Sequence, residues 1–501
     1  MLRHASQYMM ASVVAALFGF LGTAMFTRLL SPSEYGIYVI GVGIAGFASA
    51  VLFTWIRVSV MRLQSEGGQR DLRRSALAAY GISAAVAPLL IFVVPHLAHR
   101  DWREVGGAIV LALGIGLVEM GQEIMRARFQ VREFVLGAVL RTVVSFGFCL
   151  AAIELGWGGF GLLAGTALSY FVTAAFSART IWRAPLAKTD FSELRLFFRF
   201  GTVFTITALI YTFQCSMDRL FLAWHSGEAL SGLYGASADL TRQIIQMPAG
   251  SLAAAAFPIA VNSLAQHGAS RAKAQLQYFG EMLLAILIPA MLGLSLTTPY
   301  LVSFLLGPAF RDAAVSVVPM LAAGWLFQCI TQYYVHVSFH LAKRPEWSLL
   351  QGLTSVVINI ICIWPLTDAW GLQGTAASFL ISEMCGTAVG MVLTRFAYPL
   401  PHLLRPLART LLASGLMAGA VLGLEQMLPT PNAATFVVIA ICGMFIYGLA
   451  AIGLNICETR VTLQAWLPRV FAGEGGAIGQ AASCSSTVDK TPLISRINVP
   501  E

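Results

Sequence analysis

Charge is what this 501-residue chain has least of: Asp, Glu, Lys and Arg together make up 11%, against the roughly 25% usual for soluble domains. Only four lysines occur, at 188, 273, 343 and 490, and none follows a glycine. No GxxxxGK[ST] loop is therefore present, and the chain has no nucleotide-driven motor of that kind. The eight cysteines, at 149, 215, 329, 362, 385, 442, 457 and 484, form no CxxC pair and mostly fall inside apolar runs. That pattern reads as packing and points to neither a zinc site nor a disulfide framework. Segments of about ten alternating residues, which would signal a membrane β-barrel, are missing too. No external loop is long enough to hold a polymerase or glycosyltransferase domain.

What the chain has instead is apolar length. Hydrophobic residues make up 57% and the mean hydropathy is +0.74. Apolar runs recur near 8–29, 35–56, 75–97, 105–125, 135–156, 159–182, 201–224, 231–256, 277–305, 314–341, 348–367, 371–394, 407–428 and 433–456. Each is close to the ~20 residues a helix needs to cross a bilayer, and helices satisfy their backbone polar groups internally, as lipid demands. The expected fold is an all-α polytopic membrane protein of about fourteen transmembrane helices. The first run is longer than a signal-peptide core and lacks a convincing cleavage site, so it is expected to be retained.

Basic residues set the orientation. Arg57, Arg62, Arg70, Arg73 and Arg74 follow the second span, Arg126, Arg128 and Arg132 the fourth, and Arg179, Arg183, Lys188, Arg195 and Arg199 the sixth. Arg271, Lys273, Lys343, Arg344, Arg395, Arg405 and Arg409 continue the pattern, whereas the opposite loops hold little beyond Arg100, Arg103 and Arg311. Because basic loops stay inside, both termini are expected in the cytoplasm. The net charge of +8 then reflects topology and contact with anionic membrane lipids, with no nucleic-acid partner implied. The small, polar segment 457–501 reads as a disordered cytoplasmic tail.

One stretch returns. RLLSPSEYGIYVI at 28–40 is echoed by DRLFLAWHSGEALSGLYGASADL at 218–240, pairing Arg28 with Arg219, Glu34 with Glu228, Gly36 with Gly232 and Tyr38 with Tyr234. GGFGLLAGTALSY at 158–170 is echoed by WGLQGTAASFL at 370–380. Two echoes in the same order indicate a duplicated six-helix unit. The predicted organisation is an N-terminal lobe at 1–183, a basic cytoplasmic linker at 184–200, a C-terminal lobe at 201–395 and two additional helices at 396–456. Within the first copy, Ser31 and Pro32 end a helix, and Glu34 suits the positive N-terminus of the next. Tyr35 and Tyr38 are expected at the headgroup level.

These two patterns, with FPIAVNSLAQ at 257–266 and VINIICIWPLTDAWGLQGTAAS at 357–378, resemble the polysaccharide transporter, or oligosaccharide flippase, branch of the multidrug/oligosaccharidyl-lipid/polysaccharide flippases. The resemblance covers residues 8 to 456. It implies two pseudo-symmetric six-helix lobes plus two C-terminal helices, a central cavity exposed alternately to the two membrane faces, and no cofactor. It also implies a polyprenyl-pyrophosphate-linked oligosaccharide as cargo, moved from the cytoplasmic to the periplasmic leaflet of a bacterial inner membrane for O-antigen, capsule or exopolysaccharide assembly. Polysaccharide polymerases and glycosyltransferases are the implied partners. The competing readings are a cation-coupled exporter of small drugs from the same superfamily and, from another class, a membrane polysaccharide polymerase.

The residues expected to carry function are those the bilayer penalises. An arginine at mid-helix costs roughly 2.5–3.5 kcal/mol on insertion scales and so faces a bundle interior or a wet cavity. A pyrophosphate crossing apolar surroundings needs cationic partners, and arginine stays charged and grips phosphate bidentately. The candidate substrate-binding residues are Arg28, Arg141, Arg219 and Arg242, with the amides Gln328 and Gln332 from span ten for sugar hydroxyls. Local pairing competes with this use, since Asp239 and Arg242, like Glu123 and Arg126, stand three apart. Glu119, Glu123, Asp239 and Glu383 are the candidate ion-coupling carboxylates. Asn359 reads as an interhelical hydrogen bonder. His336 and His340 lack a third ligand nearby, so no metal is expected. Pro248, Pro258, Pro289, Pro299 and Pro319 give the spans places to bend.

Overall fold

The computed structural model describes residues 2–66, 71–98, 101–128, 130–182, 191–344 and 346–460, and no strand occurs among them. The expected linker 184–200 and tail 457–501 lie partly outside the described residues, and the side chains of FPIAVNSLAQ lie wholly outside them. Seven helices open the chain: α1 (Leu2–Leu29), α2 (Pro32–Glu66), α3 (Arg73–Ala98), α4 (Trp102–Ala127), α5 (Val131–Glu154), α6 (Gly158–Ile181) and α7 (Phe191–His225). They coincide with the first seven expected spans. α8 departs from expectation, running as 78 helical residues from Glu228 to Leu305.

A straight helix of that length would measure about 117 Å, several times the ~30 Å of a bilayer core. Its two ends nevertheless meet the same α1–α2 turn: the Glu228 carbonyl lies against Gly36, and the Phe304 carbonyl accepts from the Arg28 guanidinium. Nearer its middle, Gly250 and Gly280 lie against the neighbouring residues Tyr333 and Tyr334. The helix therefore turns back on itself midway and supplies spans eight and nine. Next, α9 (Pro308–Ile330) passes through a π-helical turn at Thr331–Val335 into α10 (His336–Leu341), making one span. α11 (Glu346–Trp370), α12 (Leu372–Leu393), α13 (Leu404–Met427) and α14 (Ala433–Gly453) complete the bundle.

Eleven described helices are long and apolar enough to cross a membrane. α7 and the first half of α8 are not among them, and these carry Asp218, Arg219, Asp239 and Arg242. A span that gives up apolarity marks a wet interior.

The turns divide between two faces. On one, which we call the turn face, α1–α2, α5–α6, α7–α8 and α8–α9 come together: Gly159 abuts the Glu34 carbonyl, and the Gly307 N–H donates to Thr27 Oγ1 at 3.1 Å. On the other, Arg128 pairs with Asp71 at 3.0 Å, Ser338 donates to the Tyr398 carbonyl at 2.6 Å, and the Cys457 N–H donates to Glu281 at 2.8 Å. Arg57, Arg73, Arg126 and Arg128 gather on this second, basic face, where α1 begins and α14 ends.

Two apolar cores follow the duplication. Ile40, Phe53, Ile109, Ile124 and Leu163 anchor the core of the first lobe. Leu240, Leu287, Phe310, Val317 and Phe379 anchor that of the second, which continues across the lobe contact into Phe26, Tyr35, Val39 and Leu162 of the first. α13 and α14 attach to the second half of α8 through Tyr300, Met417, Val421 and Ile439, and the Tyr447 hydroxyl donates to the Ala285 carbonyl at 2.7 Å.

The turn in RLLSPSEYGIYVI is a capping box. The Ser31 N–H donates to Glu34 Oε2 at 3.1 Å, and the Glu34 N–H to Ser31 Oγ at 3.3 Å, satisfying donors that the first turn of α2 would leave bare. Pro32 occupies the first helical position, where its missing N–H costs nothing. The second copy of the motif packs onto this turn reciprocally. A Cβ at Gly36 would stand 2.0 Å from the Glu228 carbonyl oxygen, and one at Gly232 would stand 2.1 Å from that of Pro32. One turn further, Gly235 abuts Val39. Residues at equal register in the two copies thus meet about a pseudo-twofold axis, as in an isologous interface. Glycine is required there because backbone touches backbone, and the contact closes the turn face.

Candidate functional site: a cationic cavity between the lobes

Directly inside the closed turn face lies a cavity of about 460 Å³, lined by α1, α2, α5, α6, α7, α8 and α9. Helical periodicity selects its walls. α1 contributes Phe18, Gly19, Gly22 and Thr23, and α2 contributes Tyr35, Tyr38, Val39, Val42, Gly43 and Gly46. These steps of three and four residues trace one helix face. The same rule places Arg141, Thr142, Ser145 and Cys149 on α5, Cys215, Ser216 and Arg219 on α7, and Asp239, Arg242 and Gln243 on α8.

Three of the four candidate arginines meet in this space. Arg141 stands with its guanidinium carbon 5.0 Å from the centre of the Tyr170 ring, a cation–π contact that keeps a desolvated cation in place without a carboxylate. Arg219, 14% exposed, donates to Asp239 at 2.7 and 3.4 Å. Arg242 stands 3.6 Å from the same carboxylate and is 47% exposed. Asp239 is the one acid lining the cavity among the described residues, so three cations face one anion. Tyr35, Tyr38, Tyr170, Ser145, Ser169 and Thr166 surround them with hydroxyls.

The structure departs from expectation for several candidates. Arg28 is exposed on the turn face and donates to the Phe304 carbonyl, capping the end of α8; its position at a helix end favours that use over reaching inward. Tyr35 and Tyr38 turn into the cavity instead of resting at the headgroups, because three-residue spacing puts them on the α2 face that meets the other lobe. Tyr35 is buried and packs edge-on against Phe310 at 5.6 Å. Gln328 is buried behind the cavity with its amide nitrogen 4.0 Å from Cys215 Sγ, and Gln332 falls in the π-helical turn. Neither lines the cavity.

The carboxylates separate likewise. Glu119 pairs with Arg57 at 2.6 Å and Glu123 with Arg126 at 2.9 Å, both toward the basic face. Glu383 is buried in the second lobe, where Gln214 donates to one oxygen and the other has no partner. His336 shares a hydrogen bond of 2.9 Å with Gln351.

Three features escaped the sequence. The partner of Asp239 at contact distance is Arg219 on the preceding helix, in addition to the neighbour three residues on. Asp218, 5% exposed, accepts from Tyr234 and from Asn359, each at 2.9 Å, while Ser378 donates to Asn359 at 2.5 Å. That network ties α7, α8, α11 and α12 together and gives Asn359 its expected interhelical bond. Trp325 lines the cavity with its indole N–H unpartnered; a tryptophan in an apolar run carries no sequence mark of this.

Comparison with known proteins agrees with the geometry. The model of a family described as "Polysaccharide biosynthesis protein" matches residues 25–315. The chain belongs to this family. Among solved structures, the lipid II flippase MurJ in an inward closed conformation superposes with a TM-score of 0.73, at 15% identity, over 89% of this chain and 98% of that one. An inward-facing multidrug resistance MATE family transporter of the MOP superfamily superposes at 0.60, also at 15% identity, over 77% and 93%. A MATE protein in complex with MaD3S gives 0.57 at 16% identity, over 79% and 94%. Curated protein sequences contain no match. The polysaccharide biosynthesis family member described here therefore has the fold of the multidrug/oligosaccharidyl-lipid/polysaccharide flippases, with two pseudo-symmetric lobes and two added helices.

Proposed function

We propose that this protein is a flippase that carries a polyprenyl-pyrophosphate-linked oligosaccharide from the cytoplasmic to the periplasmic leaflet of a bacterial inner membrane, for O-antigen, capsule or exopolysaccharide assembly. The observation that carries the reading is the convergence of Arg141, Arg219 and Arg242 on one cavity between the lobes. Three guanidinium groups against one carboxylate suit a pyrophosphate, whose transfer into apolar surroundings without partners would cost many kcal/mol. The tyrosine rings and hydroxyls beside them suit the first sugars. The basic face supports cytoplasmic termini, which puts the sealed turn face on the periplasmic side. The cargo then enters from the cytoplasmic side, and lobes 1–183 and 201–395 part at the glycine contact to release it.

No covalent step is required. Drive from an ion gradient has support in Glu383, a buried carboxylate with a free oxygen, since intramembrane acids are usual carriers of coupling ions. The same feature favours the second reading, a cation-coupled exporter of small amphiphiles. A deletion strain separates the two: lipid-linked glycan should accumulate in the cytoplasmic leaflet, and normal translocation would defeat the proposal. In complementation, Arg141→Ala or Arg242→Ala should restore at most about a tenth of the flux, because a charge-assisted hydrogen bond contributes ~1.5–3 kcal/mol.

A further inference from the structure

We infer that Asp239 is a built-in counter-ion: it occupies Arg219 and Arg242 while the cavity is empty and is displaced from them by the phosphate-bearing anion that enters. The inference rests on the cavity reading above and adds to it a residue that competes with the cargo.

The geometry separates Asp239 from an ordinary structural pair. One carboxylate oxygen, Oδ1, faces both arginines, at 2.7 Å from Arg219 and 3.6 Å from Arg242, and all three side chains line the same space. A pyrophosphate offers several oxygens and can grip both guanidinium groups bidentately, whereas the single carboxylate is stretched between them. Arg141, on the opposite lobe, faces no carboxylate among the described residues lining the cavity and is held by the Tyr170 ring and by a 3.4 Å hydrogen bond to its hydroxyl. It is the cation open to an arriving anion, while Asp239 already engages Arg219 and Arg242. Two anions on Arg219 and Arg242 repel each other, so cargo and Asp239 compete for them.

Position gives this exchange a mechanical consequence. Asp239 lies two turns along α8 from Gly232 and one from Gly235, the residues that seal the turn face against Pro32 and Val39. Losing its bond to α7 removes one of the ties that hold the start of α8 where the lobes touch, beside those of Ser231 to the Arg219 carbonyl and Tyr234 to Asp218. Once the cavity is open to the far side, the return of Asp239 to its arginines competes with the cargo and favours release.

The test uses the full-length protein in lipid nanodiscs and inorganic pyrophosphate as probe, with binding measured by calorimetry. Asp239→Asn should bind pyrophosphate at least about tenfold more tightly than the wild type, while flipping slows because release is impaired. Arg219→Gln, which leaves Asp239 and the probe to compete for Arg242, should weaken binding, and Arg219→Gln with Asp239→Asn should recover it. This pair of variants decides the matter even if Asp239→Asn alone does not fold. Binding by Asp239→Asn no tighter than wild type, or a double variant as weak as Arg219→Gln, would overturn the counter-ion role while Arg141→Gln still weakens binding and the cavity reading stands. If the wild type fails to bind pyrophosphate, or every arginine variant binds alike, the cavity reading itself falls and takes the counter-ion with it.

Discussion

The two copies of the duplicated motif have kept one task in common and divided the rest. Both present a glycine to the other's backbone, Gly36 to Glu228 and Gly232 to Pro32, so the closed turn face is a symmetric product of the repeat. Their charges have diverged. Arg28 leaves the bundle and caps α8, whereas its counterpart Arg219 turns into the cavity and pairs with Asp239. At the register of Asp239 and Arg242 on α8, α2 carries Gly43 and Gly46, which let α7 approach through Leu220, Ser216 and Thr212. Tyr38 lines the cavity, while Tyr234 donates to Asp218. The first copy supplies mainly glycine and tyrosine packing surface and the second the charged wall, so a duplicated bundle encloses an asymmetric cavity.

The shared glycine contact offers the sharpest way to break this comparison. Gly36→Val or Gly232→Val would drive a side chain into a carbonyl oxygen about 2 Å away, and backbone cannot yield as a flexible side chain does. Either variant should hold the turn face open and abolish flux. The check is labelling of a cysteine introduced at Tyr35 by a membrane-impermeant thiol reagent added from the turn-face side: labelling in the valine variants and protection in the parent is the expected result. Equal protection in both would show that the seal does not depend on these glycines.

A second prediction concerns the network found only on the α8 copy. Asn359→Leu removes one of two donors to the buried Asp218 and leaves Ser378 only the main-chain carbonyl of residue 359 at 3.3 Å. A hydrogen bond to a charged group contributes ~1.5–3 kcal/mol, so a fall of several degrees in the melting temperature of the purified protein is expected. Tyr38→Phe, at the first-copy counterpart of the network residue Tyr234, should leave stability nearly unchanged. Equal losses would mean that the copies share their load.

The arginines themselves come third. Arg28→Gln should alter flux by less than about fivefold, because an exposed cap contributes at most ~1 kcal/mol, while Arg219→Gln should cut it severely. Flux measured in one complementation series settles the contrast. Comparable loss from both would restore Arg28 to the cargo path.

These contrasts also mark where sequence legibility ends. The number of spans, the lobe duplication and the basic face are written in local composition, because the bilayer penalises every exposed polar group wherever it occurs. The same penalty singled out Arg141, Arg219 and Arg242. Arg28 carries the same local signal, and only the packing of α8 against the α1–α2 turn assigns it elsewhere. The apolar runs of α8 marked its two halves but not the helical hydrogen bonding that continues between them through the bend. Gln328 and Gln332 follow the same polar-in-membrane logic as the arginines, yet a buried amide can be satisfied by any neighbour, and here one amide meets Cys215. The pairing of Asp218 with Asn359 joins residues from separate helices with no periodicity to announce it. Pair identity is a tertiary fact, while the cost of an unpaired charge is a local one.

The smallest expected effect lies outside the membrane and tests whether the first lobe is held by its own basic-face clasp. Asp71, just ahead of α3, accepts from Arg73 at 2.6, 2.7 and 3.0 Å and from Arg128 at 3.0 Å. The Arg73 hydrogen bonds hold its carboxyl below the ordinary carboxylate range. A carboxyl whose pKa is depressed on folding contributes stability that is fully present above its unfolded value, near 3.9, and that is lost as pH falls through the lowered folded value. Wild-type melting temperatures should therefore owe nothing to Asp71 titration between about pH 5 and 8. Below about pH 4 they should gain an extra downward slope. Asp71→Asn should lie slightly below wild type at neutral pH and converge with it in acid, as seen by thermal unfolding across a pH series. Curves that remain parallel down to about pH 3 would show that the clasp holds Arg73 and Arg128 without stabilising the lobe, leaving the donation from Arg73 to the Ile181 carbonyl at 2.5 Å as the contact that fixes α3 against α6.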